Sequence, residues 1–364
     1  MSIVTGYPTF ILSLKLVRAL PLFLALFPFI AIPVRAQLQP GQEKIPGAEV
    51  FSGTIQSSAG FPLTVYVTRP KNSQAKLPVI FEVAWLSCDS VAQPKGPEDG
   101  FTQLLWDLAA RSGYATYRVD KPGVGGSSGG PKCEDLDFNT ELAAYRDAFA
   151  AMKNIDFIDP DRVYMLGFSN GGGVAPLVAQ GHPVRGYMLF GGWYKTWLEH
   201  MLEHERRRMR LSGLPEAEIN RRMKQYASFY DVYLNAKMTP AQVIAQHPDL
   251  KPIWYDQPEH QYGRPAPFYH QLQELNLAET WSHVEAPVLA VHGEFDWIMS
   301  ADDHRLLVNA LNAKHAGMAE YREWPRADHG FYTHIIEAKS FHHDPDQRYD
   351  PKLTDFVLQW LKAH

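Results

Sequence analysis

One run of residues, Arg162-Val163-Tyr164-Met165-Leu166-Gly167-Phe168-Ser169-Asn170-Gly171, constrains the fold of this chain more than any other. Its first half is β-branched and apolar and predicts a buried strand. The residues that follow, Gly172-Gly173-Val174-Ala175-Pro176-Leu177-Val178-Ala179, are small and apolar and predict a buried helix despite Pro176. A serine flanked at two residues' distance by glycines on both sides, between such a strand and such a helix, belongs on a very tight turn. That turn strains the serine backbone and pushes Oγ clear of the sheet edge. The same G-x-S-x-G spacing recurs twice, overlapping, within Gly125-Gly126-Ser127-Ser128-Gly129-Gly130. Pro131, Lys132 and Cys133 follow there and no helix opens, so that stretch reads as a flexible glycine loop and context selects Ser169. An ordinary helix N-cap is the plain alternative for Ser169.

Around this turn, strands and helices alternate. Residues 49–54 and 62–68 predict two antiparallel strands, 78–84 a third strand buried on both faces, and 114–119 a fourth. Phe101 to Arg111 and Phe138 to Met152 predict amphipathic helices, and Val184 to Phe190 another strand. The alternation predicts an α/β fold with a mostly parallel central sheet covered by helices. It breaks between residues 194 and 283, where helices are predicted at Trp197 to Leu211, at Pro215 to Phe229 and from Thr239, with no clear strand. That segment predicts a helical insertion. Strands resume at 287–291 and 319–324, with a helix starting at Ser300, where Asp303 forms a weak capping box, and a closing helix at Leu353 to Leu361.

A serine hydroxyl needs a base within reach, and the base needs a third group to fix its tautomer. Asp296 lies in a loop just beyond the strand at 287–291, and His329 just beyond the strand at 319–324. With Ser169, all three fall after the carboxyl ends of predicted parallel strands, where open α/β sheets place their sites. Glu294 and Asp302 are the substitutes for Asp296; Asp328, adjacent to His329, is badly placed to orient its ring.

The first 36 residues stand apart. Lys15 and Arg18 precede an apolar run from Ala19 to Val34 that ends in Val34-Arg35-Ala36, which predicts a cleavable secretory signal peptide cut before Gln37. Pro21, Pro28 and Pro33 disfavour a retained spanning helix. Removing residues 1–36, with three basic and no acidic residues, takes the formal charge from −5 to −8. A secreted or periplasmic protein with no nucleic-acid partner is expected. In such a compartment the two cysteines, Cys88 and Cys133, suggest one disulfide, with two buried free thiols as the alternative. No metal or organic cofactor is expected: adjacent histidines as in His342-His343-Asp344 point apart, and no Gly-Lys-Ser/Thr follows the glycines at 123–130. The arginines at 206–210 read as a solvated helix face.

The motifs together resemble a known family. Asp159-Pro160-Asp161-Arg162-Val163 leading to Gly167-Phe168-Ser169-Asn170-Gly171-Gly172, then His292-Gly293 with Asp296, then Asp328-His329-Gly330, resemble the α/β-hydrolase fold serine hydrolases. Esterases and the catalytic domains of prolyl-oligopeptidase-type peptidases are the most similar members. The resemblance implies an α/β-hydrolase core at 37–193 and 284–364, a helical cap at 194–283, and a triad of Ser169, Asp296 and His329. Where many members carry His-Gly after the third strand, this chain reads Ala84-Trp85-Leu86-Ser87-Cys88. The implied oxyanion donors are the N–H groups of Asn170 and Leu86, with Ser87 as second choice. In this fold Cys88 and Cys133 would follow adjacent strands, so that their disulfide would brace the oxyanion loop. Trp85, Phe229, Tyr230 and Trp297 are expected to line the substrate pocket. The implied function is hydrolysis of a small-molecule ester. Cleavage of a short peptide or amide is the runner-up, and a non-catalytic binding protein of the same fold the third reading.

Overall fold

A computed structural model describes residues 38–73, 76–342 and 347–364. Residues 1–36, expected to be a signal peptide, lie outside them, as do His343 and Asp344. The elements run β1 (Gln39–Pro40), β2 (Ala48–Gln56), β3 (Pro62–Pro70), β4 (Leu77–Val83), α1 (Gly100–Arg111), β5 (Ala115–Val119), α2 (Phe138–Met152), β6 (Ile158–Phe168), α3 (Asn170–Val178) and β7 (Gly186–Phe190). Five helices follow: α4 (Trp197–Leu211), α5 (Glu216–Tyr230), α6 (Pro240–Gln246), α7 (Ala266–Gln273) and α8 (Leu277–Ser282). Between α6 and α7 lies a minimal hairpin, β8 (His260–Gln261) and β9 (Arg264–Pro265), in a stretch expected to hold no strand. The chain then returns to β10 (Val288–Gly293), α9 (Ala301–Lys314), β11 (Ala319–Trp324), β12 (Tyr332–Thr333), α10 (Glu337–Phe341), β13 (Arg348–Tyr349) and α11 (Lys352–Ala363).

Nine of these strands form one sheet in the order β1-β2-β3-β5-β4-β6-β7-β10-β11. From β5 to β11 every pairing is parallel, while β1, β2 and β3 pair antiparallel at one edge. Central strands such as Ala115–Val119 and Gly186–Phe190 are buried at every position, as a sheet covered on both faces requires. On one face, Leu104, Leu105 and Leu108 of α1 and Val357 and Leu361 of α11 meet Ile80, Leu166 and Leu289. On the other, Phe149 of α2, Val174 of α3 and Leu307 of α9 meet Phe81, Met165 and Ala290, and this core continues into Met201, Phe229 and Tyr269 of the inserted helices. Each fully buried leucine of such a layer stabilises it by roughly 1.5–3 kcal/mol.

Local signals explain the element ends. Asp99 accepts the Thr102 N–H at 2.8 Å and starts α1 with a reciprocal capping box. Thr196 and Glu199 do the same for α4, and Thr239 and Gln242 for α6. At α9 the cap differs from the expectation. Ser300 Oγ accepts from Asp302 N, while the Asp303 carboxylate turns away and accepts the N–H groups of Tyr194 and Lys195, both at 2.8 Å. The reason is tertiary: those two N–H groups lie between β7 and α4, outside any strand or helix, and a buried carboxylate satisfies both.

Candidate active site

The turn from β6 into α3 sets the position of Ser169. Its backbone has φ 54° and ψ −121°, outside the regions an L-residue ordinarily occupies. The glycines two residues on either side are sterically required. A Cβ at Gly167 would lie 2.6 Å from the Gly171 carbonyl oxygen, and one at Gly171 would lie 1.9 Å from that of Val83. Gly171 thus lets α3 begin directly against the end of β4.

Ser169, His329 and Asp296 converge. His329 Nε2 lies 2.9 Å from Ser169 Oγ, and His329 Nδ1 lies 2.8 Å from Asp296 Oδ2. The other Asp296 oxygen accepts the N–H groups of Ile298 and Met299, each at 2.9 Å. Burial alone would raise the Asp296 pKa, but His329 beside it and these hydrogen bonds outweigh burial and hold the carboxyl well below its usual range. An ionised Asp296 only accepts, so Nδ1 of His329 carries the proton and Nε2 is left to accept from the serine. For His329 burial works downward, yet the Asp296 charge prevails and the imidazole pKa lies above 6.5. Such a chain can deprotonate a serine hydroxyl at neutral pH and hold the resulting imidazolium.

The loop after β4 brings Leu86 to the same pocket as Ser169 and Asn170. Cys88 and Cys133 are bonded, with Cα atoms 5.8 Å apart, and tie this loop to the segment after the glycine loop. The glycine loop itself is occupied structurally: Asp120 Oδ2 accepts Gly126 N–H at 3.1 Å, and Ser127 Oγ accepts Thr64 N–H at 2.7 Å.

The pocket over Ser169 encloses about 750 Å³. Core loops supply Trp85, Leu86 and Trp297, and the first turn of α1 supplies Phe101; the insertion supplies Trp197, His200, His204, Arg208, Tyr255 and Tyr262. Phe229 and Tyr230, expected in the pocket, are corrected: both are fully buried inside the insertion and neither lines the pocket. Phe229 stacks on Trp254 with ring centroids 4.8 Å apart, and the Tyr230 hydroxyl bonds Glu205 at 3.1 Å. The last turn of α5 points them into the packed layer, where large apolar faces are most stabilising.

The pocket wall of the insertion is a hydrogen-bonded chain. Arg208 pairs with the buried Glu205, which accepts from Tyr255 at 2.8 Å; Tyr255 and Tyr262 hydroxyls lie 2.7 Å apart, and Tyr262 meets His204 Nε2 at 3.1 Å. Burial, reinforced by Arg207, pushes His204 down to about 3, and burial with the nearby His204 and Arg207 holds His200 well below its usual value. Both imidazoles are therefore neutral groups over the serine. The expectation that the arginines at 206–210 form a solvated face fails for two of them. Arg208 lines the pocket, and Arg207 donates to the carbonyls of Trp297 and Ile298 at 2.9 and 2.7 Å. The sequence does not show either role, because an arginine bound to distant carbonyls, as Arg207 is, or to a buried glutamate and a tyrosine, as Arg208 is, leaves no motif.

Among the described residues no group of three or more His, Cys, Asp or Glu side chains could hold a metal ion, and no helix is long and apolar enough to cross a membrane.

Comparison with known proteins agrees with this architecture. No curated protein sequence matches the chain. Solved structures share the fold at low identity, these three among them. An acetyl xylan esterase from Paenibacillus sp. R4 has TM-score 0.55 and 14% identity, covering 92% of this chain and 90% of its own. A hypothetical protein from Pseudomonas aeruginosa has TM-score 0.54 and 16% identity, covering 90% and 99%. Est1E from Butyrivibrio proteoclasticus with ferulic acid bound has TM-score 0.52 and 16% identity, covering 85% and 96%. The signature of the Hydrolase_4 family, described as serine aminopeptidase S33, matches residues 99–329, from the start of α1 to the histidine that faces Ser169. On that match the chain belongs to this family of α/β-hydrolase fold serine hydrolases.

Proposed function

We propose that this protein is an exported hydrolase that cleaves carboxylic esters through an acyl-enzyme on Ser169. The carrying observation is the Ser169–His329–Asp296 chain, with links of 2.9 and 2.8 Å, at the wall of a pocket of about 750 Å³. His329 Nε2 takes the serine proton as Oγ attacks the acyl carbon. The carbonyl oxygen becomes an oxyanion held by the N–H groups of Asn170 and Leu86, each donor being worth about 3 kcal/mol in the transition state. His329 then passes its proton to the departing alkoxide. Water, deprotonated by the same imidazole, attacks the acyl carbon and releases the acid. Asp296 keeps the tautomer and stabilises the imidazolium formed in both halves. The insertion acts as a cap that supplies the wall of the pocket.

Peptide cleavage is the second reading, and one observation favours it: Glu98 and Asp99 lie together on the pocket wall, where an acidic pair would receive a substrate's amino terminus. Asp99 is largely committed to capping α1, which leaves Glu98 as the free carboxylate. A panel of p-nitrophenyl esters against aminoacyl p-nitroanilides separates the readings. Ester turnover at least tenfold faster in kcat/KM supports the esterase. Preferred cleavage of aminoacyl anilides overturns it.

A further inference from the structure

We infer that Lys121 is a positioning residue for the oxyanion hole: from behind the loop after β4 it holds the Trp85 and Ser87 carbonyls and so aims the Leu86 N–H at Ser169. The inference deepens the proposed hydrolase reading and rests on it.

The argument begins with strand order. β4 lies between β5 and β6 in the sheet. The loop leaving β4 is therefore flanked on one side by the segment after β5, which carries Lys121, and on the other by the turn after β6, which carries Ser169. Lys121 is 3% exposed and its Nζ donates to the Trp85 carbonyl and, at 2.7 Å, to the Ser87 carbonyl. Two carbonyls of the loop thus face β5. In a trans peptide unit the N–H points opposite to the C=O. With the Trp85 carbonyl fixed toward β5, the Leu86 N–H is directed toward β6 and the serine. That N–H has no protein acceptor among the described residues, and neither has that of Asn170. A flipped Trp85–Leu86 peptide would remove one donor and put a carbonyl oxygen, an acceptor, in the oxyanion's place.

The ammonium is itself held. Glu141 of α2 lies 3.9 Å from Nζ and also pairs with Arg264 of β9; the Arg264 guanidinium sits 2.7 Å from Cys133 Sγ and 3.6 Å from Cys88 Sγ. Lysine, glutamate, arginine and disulfide thus form one buried cluster beneath the loop and join the inserted segment to the core. A cation on the far end of a peptide unit also polarises it, which strengthens its N–H as a donor. Burial lowers the Lys121 pKa to about 8, with Glu141 opposing burial, Arg264 adding to it, and Asp89 and Glu82 favouring the charge. The charged form therefore prevails at neutral pH.

Lys121→Met keeps the length of the side chain and deletes the donor. The measurements are steady-state kinetics on p-nitrophenyl acetate and the inhibition constant of an aryl trifluoromethyl ketone, whose hemiketal oxygen needs the hole. The expected result is a kcat lower by about 10²-fold with KM changed less than about threefold, and ketone affinity lost in proportion to kcat/KM. A kcat within threefold of the parent overturns the inference, as does a parallel loss of ground-state binding without the loss of ketone affinity. Where Lys121→Met does not fold, the parent protein answers the question through a crystal structure of its diethyl phosphoryl adduct. A phosphoryl oxygen on the N–H groups of Asn170 and Leu86, with Nζ on both carbonyls, supports the role; an oxygen bound elsewhere overturns it. Failure of the hydrolase reading looks different: the parent protein then turns over no ester and takes up no phosphoryl group.

Discussion

Arg207, on the first helix of the insertion, holds the carbonyl of Trp297 at 2.9 Å, one residue beyond Asp296. Its Nη2 donates to the next carbonyl, that of Ile298, at 2.7 Å, and the Ile298 N–H in turn donates to Asp296. The insertion and the acid loop are thereby one hydrogen-bonded unit. Replacing Arg207 by methionine is expected to lower kcat/KM by between about tenfold and 10²-fold through misplacement of Asp296 and His329. Arg206, exposed and paired only at the surface, serves as control, and its methionine variant is expected to stay within about twofold. Initial-rate kinetics on both variants check this.

In the proposed mechanism the charge on Asp296 sets the pH at which His329 acts. Burial alone would lower the imidazole pKa, but the adjacent carboxylate raises it above 6.5. The base form predominates only above that pKa, so kcat/KM is expected to rise with pH through a midpoint above that of an ordinary imidazole. In Asp296→Asn the raising charge is gone. The midpoint then moves downward, and the plateau falls by about 10³–10⁴-fold. A pH–rate profile of each protein measures both effects.

The disulfide closes a loop with a sequence separation of 45 residues. In the chain-entropy argument a bridge of that span stabilises by about 4 kcal/mol. Because Cys88 ends the Trp85–Leu86–Ser87 loop, Cys88→Ser with Cys133→Ser is expected to lose activity as well as stability. Denaturant titration reads the first loss, and kcat at a temperature where both proteins are folded reads the second. Activity unchanged by reduction of the parent protein speaks against the brace.

Phe229 and Trp297 part company in the structure, and their variants are expected to do so as well. Phe229→Ala empties a site in the insertion's interior and is expected to cost about 3–5 kcal/mol of stability with little change in KM for the folded protein. Trp297 lies on the pocket wall, its ring stacked 5.3 Å from His204 and set edge-on 5.0 Å from Phe341. Trp297→Ala is expected to raise KM several-fold with a smaller loss of stability. Thermal unfolding and steady-state kinetics on the pair discriminate the two roles.

What could be read from the sequence follows from how local each signal is. Ser169 and Asp296 each follow an apolar strand and a nearby glycine, and His329 precedes Gly330, so a few neighbours mark them as candidates, although β11 itself reads Ala319-Glu320-Tyr321-Arg322-Glu323-Trp324 and is largely exposed. Helix ends at Asp99, Thr196 and Thr239 are local as well, each written in a capping pair three residues apart. The pocket wall is not local. Helix periodicity marks an apolar face but not which neighbour it packs on, and α5 turned Phe229 and Tyr230 inward. Tyr255 and Tyr262 come from irregular backbone with no period to read. Lys121, Arg207 and Asp303 act on main-chain atoms of distant segments, and main-chain atoms carry no sequence identity. Their roles required coordinates.

Labelling of the folded protein with a fluorophosphonate, followed by peptide mass mapping, tests the central claim most directly. The account predicts one stoichiometric adduct on the peptide that contains Ser169, abolished in Ser169→Ala and slowed by at least about 10³-fold in His329→Ala. An unlabelled folded protein, or an adduct that persists in Ser169→Ala, contradicts it.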